Sequence, residues 1–177
     1  MLNRYIFSKL LALSVGLFCI YLAYNFNSTN LYSISGNAYG TTWSVSSTEF
    51  IADHHEKKIL AIIDDVDNTA SNYKSDSEIA IINNSPIKTE LVISNDLYSI
   101  LDEAKLTSNI FKSFYDITLG KVSSSLGFSP TFNIDVSNNP NVRTYILNKS
   151  NQTVLKSSNF WFDLSSIAKG YAVQKIH

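Results

Sequence analysis

The segment Phe162–Ile176, FDLSSIAKGYAVQKI, gathers the groups most able to do chemistry. Asp163 is expected to end a strand, Ser165 and Ser166 to supply hydroxyls at a helix start, and Lys169 to lie about one turn inside. Exposed backbone N–H groups, the positive end of a helix dipole, an ammonium and the close approach allowed by Gly170 would suit an anion. An acidic residue beside them would fit a hard cation held against a diphosphate. The same residues also fit a purely structural role, with a serine as cap, Gly170 as a packing contact and Lys169 in solvent.

Other chemistries find less support. The chain has no G-x-G-x-x-G, no G-x-x-x-x-G-K-S/T and no G-x-S-x-G, so it offers no Rossmann or P-loop nucleotide site and no nucleophile elbow. His54 and His55 are sequence neighbours, which point to different helix faces, and no third ligand is near, so they read as a solvated pair. Asp64, Asp65 and Asp67 interleave with an apolar stripe and read as a wet helix face. Tyr39, Trp43, Tyr73, Phe114 and Tyr115 flank turns; stacking on a planar ring and core packing are both open to them.

Composition bounds the rest. The chain has 177 residues, 45% hydrophobic and 16% charged, with a formal charge of -1. That is too apolar and too neutral for a disordered chain, and a pI near 6.3 argues against nucleic acid as a partner. A single cysteine permits no intramolecular disulfide.

Tyr5–Tyr24 is an apolar run interrupted by one charge, Lys9, and has about the 20 residues a helix needs to cross a bilayer. Arg4 and Lys9 stand at its front, and nothing charged follows before Glu49. The positive-inside rule then puts residues 1–4 in the cytoplasm and everything after about Asn25 outside. Tyr21, Leu22, Tyr24, Asn25 and Phe26 offer no small-residue cleavage site, and Leu17 and Phe18 before Cys19 do not fit a lipoprotein signal. The expectation is an uncleaved anchor with its cytoplasmic tip over residues 1–30, followed by one domain over 31–177.

In that domain, Leu31–Gly36 and Thr41–Ser47 alternate as strands about a Gly36–Gly40 turn. Ile59, Ile62, Ile63, Val66 and Ala70 mark a helix within 50–72, and Ser77–Asn83 reads as a short turn or helix. A strand at Thr89–Ile93 precedes a helix capped by Ser94, with Leu97, Ile100, Leu101 and Ala104 on one face. Phe114–Leu119 reads as extended and Ser129–Asn141 as a polar loop. Strands are expected at Val142–Leu147, Thr153–Leu155 and Phe160–Leu164, then a helix from Ser165 or Ser166 that is still periodic at His177, as in a fragment. Strands with segregated helices give an α+β class.

Five motifs occur in order: Gly36-Asn-Ala-Tyr-Gly-Thr-Thr42; Ser71-Asn-Tyr73 leading to Ser77-Glu78 and Asn83; Ser113-Phe-Tyr-Asp-Ile-Thr-Leu-Gly120; Leu126-Gly-Phe128; and Asp163-Leu-Ser-Ser-Ile-Ala-Lys-Gly-Tyr-Ala-Val173. Together they resemble the ApbE family, the FAD:protein FMN transferases once called thiamine biosynthesis lipoproteins. The resemblance implies an ApbE-like mixed sheet with flanking helices. It also implies an exported, membrane-attached, Mg2+-dependent enzyme of the bacterial inner membrane, with its domain facing the periplasm. Such enzymes move FMN from FAD to a threonine hydroxyl of an acceptor flavoprotein, releasing AMP; acceptors include flavin subunits of membrane redox complexes. Carried over by motif, FAD contacts fall on Tyr39, Tyr73, Phe114, Tyr115, Asp116, Asp163 and Lys169, Mg2+ on Ser166, and the catalytic cation on Lys169.

Departures from the pattern are Tyr39 where a Met is usual, Phe114 where an Ala is usual, and Gln174 where an Asp is common. The family's second half, with its Gly-Gly-Glu stretch and the Asp and Thr completing the Mg2+ site, is missing. The resemblance therefore implies about half a site here. Two other readings stay open: an FAD-binding or FAD-hydrolysing relative, and an inactive membrane-anchored fragment.

Overall fold

A computed structural model describes residues 4–26, 31–128, 140 and 142–177. It divides into two units, Met1–Gly36 with Thr42–Asp53, and Asn37–Thr41 with His54–His177.

The first unit opens with α1 (Arg4–Phe26), exposed from Tyr5 to Phe26. Its Tyr5–Phe26 stretch is long and apolar enough to cross a membrane, a property shared by signal sequences. The hairpin β1 (Tyr32–Ala38) and β2 (Thr41–Ser47) follows, its tip Asn37–Thr41 belonging to the second unit. Its turn is tighter than the expected Gly36–Gly40 loop: only Tyr39 and Gly40 lie between the strands, with φ of 53° and 71°. Two positive φ angles are what a two-residue type I′ turn requires, because its twist matches that of the strands. Gly36 lies inside β1 instead, where a Cβ would come within 2.9 Å of Trp43 Nε1.

In the second unit, α2 (Asp53–Ala70) buries Ile59, Ile63, Val66 and Ala70, four of the five expected stripe positions, together with Thr69. The short α3 (Glu78–Asn84) is capped by Ser77, whose Oγ accepts from Ala80 N–H and donates to Ser71 O. The α4 helix (Asn95–Phe111) is capped by Ser94, as expected, and buries Leu97, Ile100, Leu101 and Ala104. A 3-10 turn, η1 (Lys112–Phe114), and α5 (Gly120–Ser125) lead on to the last helix, α6 (Ala168–Ile176). Strands β3 (Glu90–Val92), β4 (Tyr145–Asn148) and β5 (Thr153–Lys156) form an antiparallel sheet in the order β3-β5-β4. The fold is α+β.

Phe160 and Phe162 anchor the core. Their rings meet edge to face at 5.0 Å and pack with Leu97, Ile100, Leu101 and Ile79, all fully buried. Burying each such side chain stabilises the fold by roughly 1.5–3 kcal/mol. The expected strand at Phe160–Leu164 keeps its alternation, with Phe160, Phe162 and Leu164 inside, yet pairs as a strand only at Trp161, which bridges Leu119. A side chain stands where a neighbouring strand would be. Asn83 donates from Nδ2 to Phe162 O at 3.0 Å and accepts Phe162 N–H on Oδ1 at 2.7 Å. On the other side Gly120 N–H donates to Trp161 O at 2.9 Å, an approach that only glycine permits, since a Cβ would lie 2.7 Å from Phe162 O. Phe114–Leu119, expected to be extended, is instead the end of η1 followed by a turn. Of the expected polar loop Ser129–Asn141, all but Pro140 lies outside the described residues, as does the expected tip before Arg4.

Lys156 is 2% exposed, donating from Nζ to Asn83 O at 2.8 Å. Burial, reinforced by the Lys121 charge, pushes its ammonium down to about 8 from 10.5. The unfolded chain therefore binds more protons between those values, so stability should rise with pH across that window, by about 3 kcal/mol at most. Below about pH 8 the full penalty of burying the ammonium is present. Lys156→Met should flatten this rise in urea denaturation curves taken between pH 7.5 and 10; an unchanged rise would locate it elsewhere.

Candidate functional site

A cleft of about 150 Å³ opens beside the end of α2, lined by Tyr39, Asp67, Asn72, Tyr73, Phe128 and Lys169 among others. Tyr39 reaches it from the hairpin tip, in a left-handed conformation that costs a bulky residue about 1 kcal/mol or more. Its hydroxyl donates to Ile63 O at 2.7 Å, which fixes the ring. Burial, then the charges of Asp67 and Asp64, push that phenol up to about 12, so it stays a donor at any physiological pH. Strain over-determined in this way concentrates at functional sites.

Ser71–Tyr73 follow α2 as a turn, with Tyr73 N–H on Ser71 Oγ at 3.2 Å. Tyr73 is 66% exposed, and its hydroxyl donates across to Phe128 O at 2.8 Å. Asn72 donates from Nδ2 to Asp163 Oδ1 at 2.9 Å, while among the described residues its own buried Oδ1 has no partner. Asp163 Oδ1 also accepts Ser165 N–H at 2.9 Å and Ser165 Oγ at 2.6 Å, an Asx turn leading toward the helix. Among the described residues its other oxygen, Oδ2, takes no hydrogen bond.

The local structure around Lys169 differs from the expectation. Asp163 does not end a regular strand, and α6 begins at Ala168, with Ser165–Ile167 forming a turn before it. Ser165 is bound to Asp163 and no serine caps the helix; the flanking residue, Ile167, has no capping side chain. Lys169 thus stands in the first turn of α6, exposed and on the cleft, and among the described residues no partner neutralises it.

The remaining candidate residues lie elsewhere. Tyr115 packs on the core, and its hydroxyl accepts from exposed Ser166 Oγ at 3.3 Å. Ser166 lines a different groove, with Glu103, Gly170 and Gln174. Asp116 is closed in a local network: Thr118 N–H and hydroxyl donate to Oδ1, and Arg143 Nη2 to Oδ2 at 3.0 Å. Burial alone would push its carboxyl up; the Thr118 donors and the Arg143 guanidinium hold it below the ordinary carboxylate range. Phe114 is 94% exposed and lines none of these clefts. Asp67 is not the wet face expected of it, because it lines the cleft and pairs with Lys74 at 2.7 Å.

Neither Asn72 nor Arg143 is singled out by sequence pattern. Asn72 stands inside a quoted motif, but its partner is 91 residues away, and that of Arg143 is 27 away, so no spacing rule finds either. Among the described residues no cluster of three His, Cys, Asp or Glu could hold a metal, and His54 and His55 are exposed. Oxygen donors for a hard cation are nonetheless present in part, in Asp163 Oδ2 and the exposed Ser166 hydroxyl.

Comparison with known proteins identifies the family. The ApbE family model matches residues 39–177. The FAD:protein FMN transferase of Haemophilus influenzae is 30% identical over 167 residues, 84% of this chain and 48% of the relative. The enzyme of the same name from Vibrio cholerae is 25% identical over 81% of this chain. A mutant of flavin transferase ApbE from Vibrio cholerae shares the fold at a TM-score of 0.73, with 23% identity over 83% of this chain and 55% of that one. The chain spans about half the length of the curated relatives it matches. From the five motifs and the match over residues 39–177, the chain belongs to the ApbE family.

Proposed function

We propose that the full-length protein is an Mg2+-dependent FAD:protein FMN transferase whose dinucleotide site is built around the cleft of Tyr39, Tyr73 and Lys169. In this reaction the hydroxyl oxygen of an acceptor threonine bonds to the FMN phosphorus of FAD. The P–O bond to AMP breaks, and the hydroxyl proton leaves. The observation that carries the reading is an unneutralised ammonium, Lys169, facing a cleft walled by tyrosine rings and flanked by the Asp163–Ser165 turn. A cation there binds the diphosphate and stabilises charge gathering on its oxygens. Asp163 and Ser166 would hold Mg2+, which when bound supplies further positive charge against the departing AMP. The family pattern adds FAD contacts at Phe114, Tyr115 and Asp116, which lie outside this cleft, with the Asp116 carboxylate held by Thr118 and Arg143.

A cleft of about 150 Å³ is smaller than the roughly 300–1,000 Å³ of ordinary ligand sites, which fits a site shared with the rest of a longer protein. The apolar helix, with Arg4 and Lys9 at its front, supports an inner-membrane anchor and a periplasmic domain, where the acceptor would be a flavoprotein subunit of a membrane redox complex.

Incubating the full-length protein with FAD, Mg2+ and a threonine-bearing acceptor should produce a fluorescent band that survives denaturation. FMN and AMP released without an adduct would assign it instead as an FAD hydrolase. FAD bound but intact would remove catalysis altogether.

A further inference from the structure

We infer that Phe128 is a ring-stacking wall of this cleft, held across its mouth by the Tyr73 hydroxyl. The inference rests on the flavin-transferase reading and adds to it a residue that determines how a planar heteroaromatic ring is gripped.

Phe128 lines the cleft yet is 68% exposed, so its ring contributes little to the core. The chain nevertheless fixes its backbone closely. Phe128 N–H donates to Ser123 O at 3.0 Å, which ties it to α5. Gly127, just before it, has a φ of 87° and donates to Ser124 O at 3.0 Å. Only glycine takes that conformation freely, so the reversal that brings Phe128 to the cleft is written into the sequence. Tyr73 then donates from its hydroxyl to Phe128 O at 2.8 Å, joining residues 55 apart. Two exposed aromatic residues are thus clasped at one opening, and the ring of Tyr39, pinned by Ile63 O, faces the same space. Because the backbone on either side of Phe128 is fixed, a flat ligand entering the cleft meets an aromatic face already in position. Aromatic side chains grip such rings by their π faces whatever hydrogen-bonding groups lie at the edges, which suits either the isoalloxazine or the adenine of FAD.

The test measures dissociation constants of FAD, FMN and AMP with the full-length protein. Thermal unfolding runs alongside, since a side chain this exposed should tolerate truncation. Phe128→Ala should weaken FAD about tenfold or more, and Phe128→Trp should restore binding. If the flavin is the stacked ring, FMN suffers the same loss and bound-flavin fluorescence becomes less quenched; if the adenine is stacked, AMP suffers it. Tyr73→Phe removes only the clasp and should speed FAD release about 2- to 10-fold. Unsubstituted protein that binds no FAD would refute the flavin-transferase reading. FAD binding with unchanged constants for all three ligands in Phe128→Ala would overturn the stacking wall alone.

Discussion

In the full-length protein, Lys169→Ala should lower FMN transfer about 10²- to 10³-fold, the effect of deleting a preorganised charge aimed at developing negative charge. Lys169 is exposed in the first turn of α6 and supports no other side chain, so truncation should shift stability by less than about 0.5 kcal/mol. Binding and chemistry should both suffer, because the ground-state diphosphate and the transition state carry charge at the same place. Lys169→Arg keeps the charge and should recover part of the rate, though its planar fork places donors differently. Steady-state transfer assays over a range of FAD concentrations separate the two effects. Activity within about threefold of the unsubstituted enzyme would mean that Lys169 is a surface lysine and that the diphosphate lies elsewhere.

What the sequence revealed of this site follows from the range of the forces involved. Ser94 and Ser77 were legible as a cap and as the start of a short helix because a cap is satisfied within three residues. The stripe on α4 was legible because 3.6-residue periodicity is local. Phe160–Leu164 alternates as a strand does, but its hydrogen bonds go to Asn83, Gly120 and Ile117 rather than to a strand on each side. Alternation reports which face is buried and says nothing of what pairs the backbone. The α6 helix starts later than its pattern predicts because Ser165, the natural cap, is drawn into the turn with Asp163. Asp67 read as solvated because its partner, Lys74, lies beyond the helix end. Lys169, Asp163, Tyr39 and Tyr73 could be named from motifs; that three of them line one cleft and the fourth is tied to it through Asn72 needed coordinates.

Asn83 is where fold and site depend on the same atoms, and Asn83→Ala should cost about 2–5 kcal/mol. Three bonds meet at this 8% exposed residue: both of its amide atoms serve the Phe162 backbone, and its carbonyl takes the Lys156 ammonium. Truncation leaves Phe162 N–H and C=O buried without partners, at roughly 1–3 kcal/mol each. That is a large fraction of the 5–15 kcal/mol that holds a typical domain together. Urea denaturation should show a lower midpoint with an unchanged slope, since the surface exposed on unfolding is the same. Asn83→Asp distinguishes pairing from mere volume. It keeps the acceptor for Phe162 N–H but sets a carboxylate oxygen against Phe162 O, so it should destabilise although its size is conserved. The functional consequence follows from position, because Asp163 comes next in the chain and carries the turn that leads to Lys169. A variant that still folds at low temperature should therefore bind FAD more weakly without any change in the residues lining the cleft. A loss below about 1 kcal/mol in Asn83→Ala would mean that water replaces the amide, and Asp163 would then owe its place to Ile117 and Asn72 instead.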